Sequence, residues 1–316
     1  MDGILAIDKP LGITSHDVVA RVRRLAGQRR VGHAGTLDPL ASGVLLLCLG
    51  EATRLSDLLM DGDKWYLARV ALGAGTSTDD AEGGVVRRAE PAFDHAILQA
   101  ALAAQVGALR QVPPAFAAIK RGGVPDYQRA RAGEEVVRTP RAVAVHAIAL
   151  LTHMTRAVRL NGADGPETAL LPTLDLLIGC GKGTYIRSIA RDLGDALGCG
   201  GHLAGLRRLA SGAFTTRDCR QLNDLERCCR EEGSQAIARA LQPPDLALSA
   251  WPAAALGPEQ ALRARRGMLL RELPEGPPRL RIYDDQGGLL ALAYWSGVAA
   301  QGPAAGYHPK TVFAGT

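Results

Sequence analysis

Asp38 stands in a segment that suits an active-site loop, residues 32–43 (GHAGTLDPLASG). The glycines of this segment and Pro39 let the backbone approach another group closely and hold a carboxylate in a fixed pose. An Asp-Pro pair in a loop is most often a turn. Here, however, His33 lies five residues upstream, and the apolar residues 44–49 predict a buried strand that makes the loop rigid. These neighbours favour chemistry at Asp38.

Asp38 is also a lone acid, since no other carboxylate lies between Asp17 and Glu51. There is therefore no nearby partner in the sequence with which it would share a proton or a metal ion. A single carboxylate held in a loop indicates nucleophilic or general-base catalysis and argues against a carboxylate dyad.

A second segment, residues 179–192 (GCGKGTYIRSIARD), joins a predicted strand to a predicted helix. It resembles a phosphate-binding P-loop, but Gly183 separates Lys182 from Thr184. A P-loop needs Gly-Lys followed directly by Ser or Thr. The pattern therefore does not predict nucleoside triphosphate binding, and it leaves Arg187 near the start of a helix.

Two more segments carry aromatic side chains. Residues 63–66 (DKWY) open a predicted strand and include Tyr66, although packing in a sheet is the usual role of such a tyrosine. Residues 111–141 are basic and rich in turns, and their proline pair and Tyr127 predict a projecting, RNA-gripping element. An ordinary exposed loop explains residues 111–141 almost as well.

Hydrophobic periodicity predicts the elements that position these residues. Ser15 is expected to cap a helix whose apolar stripe includes Val18 and Val22. In the strand at residues 64–72, alternation places Tyr66 on the buried face. Strands are predicted at residues 3–8, 44–49, 64–72, 142–153 and 171–180, and helices at residues 15–26, 51–60, around 97–104 with Ile97 on the apolar face, and 185–197.

The sequence pattern of the chain changes after residue 241. Pro243-Pro244 indicates a linker. Beyond it, residues 280–283 and 289–294 alternate between apolar and polar side chains, and the turn residues 284–288 divide them. This pattern is typical of a β-hairpin, so the tail is predicted to be a small β domain.

Composition gives only weak evidence about the binding partner of the protein. The chain has 316 residues and a net charge of +5, and thirty-two of its thirty-seven basic residues are arginine. Arginine binds phosphate and stacks on bases, which fits nucleic acid, but a GC-rich genome explains most of the excess. The sequence holds neither a membrane-spanning apolar run nor a secretory signal, so a cytoplasmic location without membrane contact is expected. The six cysteines lack paired spacings, which predicts free thiols and no structural metal.

Taken together, these segments resemble the TruB family of tRNA pseudouridine synthases. The resemblance covers nearly the whole chain, and its motifs occur in the order of the family. They are residues 8–15 (DKPLGITS), 32–43, 63–66, 76–83 (TSTDDAEG), 113–120 (PPAFAAIK), 180–194 (CGKGTYIRSIARDLG) and 202–212 (HLAGLRRLASG). The family pattern usually has Tyr at Phe116, Ser at Ala117 and Asp at Ser77, departures that put some RNA contacts in doubt.

The resemblance implies an α+β pseudouridine synthase fold, with a mixed, largely antiparallel central sheet and flanking helices. It places the catalytic domain at residues 1–242, with the gripping insertion at about 111–141, and a PUA-like RNA-binding domain at residues 245–316. The implied reaction converts the tRNA T-loop uridine at position 55 into pseudouridine, without cofactor or metal. The protein is expected to act on the T-stem-loop as a monomer that needs no protein partner.

The resemblance also assigns roles to residues. Asp38 falls on the catalytic aspartate, Arg187 on the arginine paired with it, and Tyr66 on the active-site tyrosine. Substrate binding is implied for the histidine that docks the flipped nucleotide, for the tyrosine that packs on the target base, for the apolar residue lining the uracil pocket and for three lysines inside matched motifs; these are His33, Tyr185, Leu206, Lys9, Lys64 and Lys120.

Several alternatives stay open. Asp38 attacks the ribose C1′ or the uracil C6, or it removes a ribose proton, and the residue pattern does not choose among these routes. Arg187 is expected to keep Asp38 ionised, and Tyr66 is the candidate for the base that removes the C5 proton. Instead of an enzyme, the chain could be a tRNA-folding chaperone that acts by RNA binding alone. A catalytic subunit of a guide-RNA particle is a third possibility, which the short tail disfavours.

Overall fold

A computed structural model of the chain describes residues 1–116, the backbone of 120–121 and 124–125, and residues 129, 138–297 and 305–313. The predicted gripping insertion at about 111–141 and its Tyr127 lie partly or wholly outside the described residues.

The strands and helices have the following bounds. The strands are β1 Gly3–Lys9, β2 Val31–Ala34, β3 Ala41–Leu49, β4 Lys64–Leu72, β5 Ala74–Thr76, β6 Val85–Arg88, β7 Gly107–Gln111, β8 Lys120–Arg121, β9 Val124–Pro125, β10 Arg141–Gly162, β11 Gly165–Cys180, β12 Gly201–Ser211, β13 Phe214–Thr215, β14 Arg220–Gln221, β15 Ala253–Ala255, β16 Arg279–Tyr283, β17 Leu289–Ser296 and β18 Gly306–Val312. The α-helices are α1 Ser15–Ala26, α2 Ser56–Asp61, α3 His95–Ala103, α4 Ile186–Ala196, α5 Leu222–Glu232, α6 Gln235–Ala240 and α7 Pro258–Arg265, with 3-10 helices at Gly50–Leu55, Thr216–Asp218 and Pro244–Leu248.

One large sheet organises the N-terminal part, with strand order β14-β1-β3-β12-β4-β11-β10-β7. The pairs β14/β1 and β3/β12 are parallel, and the remaining pairs along this path are antiparallel. The predicted α+β class with a mixed, largely antiparallel sheet is therefore confirmed. In the part of the chain that the structure describes, no helix is long and apolar enough to cross a membrane.

Strand β1 shows how the sheet is buried on both faces. Leu5 and Ile7 belong to the main core, which α1, α3, α4 and α5 cover. Ile4 and Ala6 point the other way, into a second apolar cluster. Because both faces are covered, the strand reads as a continuous apolar run instead of an alternating one.

The N-cap of helix α1 lies one residue before the predicted one. Thr14, not Ser15, is the N-cap, because its side chain accepts a hydrogen bond from the Asp17 N–H while the Asp17 carboxylate accepts one from Thr14 N–H. This reciprocal pair is a capping box. The predicted apolar stripe is confirmed, with Val18 and Val22 fully buried.

Two other expectations need correction. Residues 32–43 are not all loop, since β2 and β3 take up both ends and leave residues 35–40 between them. In helix α3, Ile97 is 49% exposed, and the buried side chains are Leu98 and Leu102. The run of alanines in this helix gives little contrast between its faces, so periodicity selected the wrong stripe.

Strands β10 and β11 form one hairpin that is much longer than predicted. Strand β4 pairs with β11 only from Thr173 to Cys180, so the outer half of the hairpin extends beyond the sheet. In that outer half the apolar side chain of Leu170 is 74% exposed, so the hydrophobic pattern does not mark the extension of these strands.

The C-terminal part contains a four-stranded sheet of order β15-β16-β17-β18. The predicted hairpin across residues 284–288 is confirmed by the antiparallel pairing of β16 and β17. This small β unit packs on the second apolar cluster through the side chains of Leu248, Trp251, Leu292 and Phe313. The unit thus covers the face of β1 and β3 opposite the helices; the domain boundary at 242–245 and the PUA-like assignment stay predictions.

Candidate active site

The loop of residues 35–40 carries Asp38 and is fixed at several points. The Leu37 N–H donates to Ser15 Oγ at 2.8 Å, and Ser15 Oγ donates to the Leu37 carbonyl at 3.0 Å. On the other side of Asp38, the Gly12 N–H donates to the Pro39 carbonyl at 2.8 Å. Ser15 is therefore not a helix cap but a brace for the residue next to Asp38.

Gly43 allows the end of this segment to lie against strand β12. Its φ of 103° lies in the left-handed region, and a Cβ there would lie 2.1 Å from the Arg208 carbonyl oxygen. Only glycine satisfies both conditions. This close approach brings β12, which carries Leu206 and Arg208, beside the loop of residues 35–40.

Arg187 joins Asp38 to a second carboxylate. Its Nη2 lies 3.1 Å from Asp38 Oδ2, and its Nη1 lies 3.3 Å from Asp80 Oδ2. Arg187 Nη2 also donates to the Phe116 carbonyl and Nη1 to the Thr78 carbonyl. The side chains of Arg187 and Asp80 are 8% and 3% exposed, whereas that of Asp38 is 38% exposed. The Asp80 carboxylate is thus internal, whereas the Asp38 carboxylate is partly exposed to solvent.

The electrostatics of Asp38 differ from the prediction. Burial raises the pKa of its carboxyl group above the ordinary value of 3.8, and the nearby Asp80 charge acts in the same direction. Arg187 and Lys9 lower that pKa, as opposite charges do, but they do not overcome the burial. Arg187 therefore favours the ionised form, as predicted, but the pKa of Asp38 is still raised overall.

Tyr66 lies on the buried face of β4, as alternation predicted, and is paired in register with Arg208 of β12. Burial raises the pKa of the Tyr66 phenol, while the charge of Arg208 opposes the rise. The phenol is therefore protonated near neutral pH. Its role as the late base stays a prediction.

Tyr185 is the N-cap residue of α4, so Arg187 lies in the first turn of that helix. The side chain of Gln111 holds the Tyr185 backbone from both sides, accepting from its N–H at 2.8 Å and donating to its carbonyl at 3.1 Å. Gln111 is 5% exposed and belongs to β7 at the sheet edge. This clamp fixes the point where the helix begins and, with it, the position of Arg187.

His33 in β2 is largely buried, and its Nδ1 has no hydrogen-bond partner among the described residues. Its ring meets the ring of His16 edge-on, with 5.1 Å between the ring centroids. Burial lowers the pKa of His33 to about 4, and the charge of Arg208 adds to the effect. The imidazole is therefore neutral at physiological pH.

The predicted lysines lie in different settings. The Lys9 ammonium is fully buried and donates to the Pro10 and Ile13 carbonyls, and burial lowers its pKa to about 8. Lys64 is 6% exposed and donates to backbone carbonyls at the end of α2. Lys120 lies in β8, but its side chain is outside the described residues. The substrate contacts of all three stay predictions, and the first two have the geometry of structural lysines.

Sequence reasoning missed residues that the folded chain adds to the site. Asp80 and Arg208 appear in the sequence only as members of the motifs at residues 76–83 and 202–212, with no role predicted for either. Gln111 has no local signature. No group of three His, Cys, Asp or Glu among the residues that the structure describes is placed to hold a metal ion.

Comparison with known proteins identifies the family. Residues 23–186 match the TruB family pseudouridylate synthase N-terminal domain, and residues 187–249 match the tRNA pseudouridylate synthase B C-terminal domain. The chain belongs to the TruB family. A Cupriavidus metallidurans protein named tRNA pseudouridine synthase B is 43% identical over 92% of this chain and 90% of its own length. The proteins of that name from Burkholderia mallei and Pseudomonas putida are 40% and 39% identical, over 93% and 92% of this chain and 93% and 91% of their own lengths.

Solved structures show the same TruB fold at lower identity. One chain from the structure of an H/ACA ribonucleoprotein bound to a substrate RNA containing 2′-deoxyuridine aligns with this protein. The alignment covers 99% of this chain and 85% of that chain, at 22% identity and a TM-score of 0.69. A Cbf5-Nop10-Gar1 complex aligns over 99% and 84%, at 24% identity and the same TM-score. The predicted pseudouridine synthase fold is thereby confirmed.

Proposed function

We propose that this TruB family protein converts the T-loop uridine of tRNA at position 55 into pseudouridine, and that Asp38 is its catalytic carboxylate. The position of Asp38 carries the proposal. Its carboxylate stands at the open end of a buried Asp80–Arg187 pair, on a loop that is braced on both sides. The names of the bacterial relatives support tRNA as the substrate.

The reaction is an isomerisation in which atoms and electrons are conserved. The bond between the ribose C1′ and uracil N1 breaks, the uracil turns, and a new bond joins C1′ to C5. The C5 proton leaves, and N1 gains a proton. Asp38 begins this sequence by attacking C1′ or C6 or by taking a ribose proton, and each route needs its ionised form. Arg187 stabilises that form and limits where the carboxylate points.

The uridine must leave its stacked position before Asp38 reaches it. Extrusion of a base costs roughly a few kcal/mol, and contacts of arginines with phosphates offset the cost. We assign Tyr185 to the face of the freed uracil, where a π surface holds the base while it turns, and Leu206 to the apolar wall. His33, which is neutral, would contact the flipped nucleotide as a hydrogen-bonding group and not as a charge.

The test is Asp38→Asn, which keeps the shape of the side chain and removes the carboxylate. A tRNA transcript labelled with tritium at uridine C5 releases the label only when C5 forms its new bond. We expect no release above background from Asp38→Asn, with tRNA affinity within about twofold of the parent. Asp57→Asn, an exposed acid at the start of α2, is the matched control and should keep full activity.

The same variant separates the enzyme from a chaperone. If RNA binding alone is the function, Asp38→Asn refolds a misfolded tRNA as well as the parent, and the parent itself releases no tritium. A guide-RNA subunit would be inactive as a purified chain. Release from a T-stem-loop transcript by the protein alone excludes that reading.

A further inference from the structure

Arg208 is a charged side chain in the interior of the protein. It is 1% exposed and is among the largest fully buried side chains. Its Nε donates to the Val44 carbonyl at 2.6 Å, its Nη2 to the Gly35 carbonyl at 3.1 Å and its Nη1 to the Thr36 carbonyl at 3.4 Å. Within the described part of the chain, no ion pair joins Arg208 to an acid.

The three carbonyls lie on the two sides of the catalytic carboxylate. Gly35 and Thr36 come just before Asp38, and Val44 comes after the loop has returned into β3. One planar guanidinium therefore joins the two ends of the loop. Tyr66 of β4 is the in-register neighbour of Arg208, and the charge of Arg208 lowers the pKa of the Tyr66 phenol.

Burying a cation without a paired acid is costly, and an apolar side chain of similar volume is generally tolerated in its place. What an apolar side chain lacks is the donors. The guanidinium offers five N–H groups in a fixed plane, which lysine cannot reproduce from one point. The feature that distinguishes Arg208 from an apolar substitute is thus its simultaneous hydrogen bonding to both ends of the loop.

We infer that Arg208 is a positioning residue of this site, which holds the loop of residues 35–40 so that Asp38 meets Arg187 and lies beside Tyr66. Arg208 acts through the loop and does not touch the substrate. This inference rests on the proposed function, because the quantity that it controls is the rate of the isomerisation.

The experiment compares Arg208→Lys and Arg208→Met with Arg207→Gln. Arg207 is the matched control, because it is the adjacent arginine of β12 but is 38% exposed and paired with Asp8. Single-turnover tritium release, tRNA affinity and thermal unfolding are measured for each. Both Arg208 variants should release tritium about 10- to 100-fold more slowly, since small misplacement of a catalytic group has effects of this size. Affinity for tRNA should stay within about twofold of the parent, and Arg207→Gln should keep the parent rate.

Amide hydrogen exchange supplies the readout that a merely stabilising residue would not move. The Leu37 N–H is bound to Ser15 Oγ, and the Ala41 N–H to the Asp38 carbonyl. In the Arg208 variants these two amides should exchange faster, while the amides of β11 keep their protection.

Parent-like rates in both Arg208 variants would overturn the inference. So would a failure of both to fold, or a uniform rise in exchange across the sheet, since either result makes Arg208 a stability element. If the parent protein releases no tritium at all, the proposed function fails instead, and the exchange of Leu37 and Ala41 still reports whether Arg208 holds the loop.

Discussion

The Asp38 loop lies between two buried arginines whose surroundings are opposite. On one side, Arg187 is placed between two carboxylates, those of Asp38 and Asp80. On the other side, Arg208 donates to three carbonyl oxygens, and no acid in the described residues pairs with it. In our proposal the first arginine favours the ionised form of Asp38 and the second holds the loop that carries it. The partners of each arginine thus indicate its effect. Carboxylate partners indicate an effect on charge, and backbone carbonyl partners indicate an effect on the position of the loop.

The largest effect is expected when the acid-paired arginine is removed. Arg187→Met leaves Asp80, 3% exposed, without its counter-charge. Breaking a buried pair in this way costs about 3–5 kcal/mol in the free energy of unfolding. Tritium release should fall about 10²- to 10³-fold as well, because Asp38 loses the group that stabilises its ionised form.

Chemical denaturation at two pH values compares the two arginines directly. Removal of Arg187 takes away the largest charge effect that lowers the pKa of Asp38, so Asp38 is easier to protonate in the folded chain than in the unfolded one. The part of the stability deficit that comes from Asp38 is therefore present at neutral pH and shrinks at about pH 5 and below, as this carboxyl group is neutralised. Arg208→Met leaves carbonyls, which do not titrate, so its deficit should be the same at both pH values. Equal pH dependence in the two variants would remove the distinction between them.

An intermediate effect is expected from pH in the parent protein. Burial raises the pKa of Asp38, and in the proposed mechanism only the ionised form starts the reaction. The single-turnover rate should therefore fall as pH decreases through a pKa above 3.8, by about tenfold for each further pH unit. Circular dichroism at each pH shows whether the chain is still folded. A constant rate down to about pH 4 in a folded protein would contradict the assignment of Asp38.

The smallest effect is expected from the outer half of the long hairpin. Asn161 of β10 donates to the carbonyls of Ala81 and Glu82, in the turn that carries Asp80. Asn161→Ala should lower the single-turnover rate about two- to fivefold, because the Asp80 turn loses a brace outside the site. Arg159→Gln, on the same strand, is the control. Identical rates for the two variants would show that the hairpin does not support Asp80.

The ease with which these residues could be predicted depends on the range of their contacts. The glycines and proline around Asp38 are a local signal, and the helix that begins after Tyr185 is local as well. By contrast, Arg187 and Asp80 are 107 residues apart, and Arg208 and Val44 are 164 apart. No spacing in the sequence reveals such pairs. Adjacent arginines in β12 also resemble a solvated segment, so neither the strand nor the burial of Arg208 was predicted.

The same limit applies to the elements. Strands β1, β3 and β4 are buried on at least one face, and their apolar patterns predicted them. The outer half of the β10–β11 hairpin exposes apolar side chains on the surface, and its extension was missed. Ser15 has the residue type of a helix cap, but its hydroxyl binds Leu37, a contact that only the folded chain makes.

The most direct test uses a T-stem-loop transcript in which only the uridine at position 55 carries tritium at C5. The purified protein should release one equivalent of tritium from this RNA, and Asp38→Asn should release none. Absence of release by the parent protein, or equal release by both proteins, would contradict the proposed function.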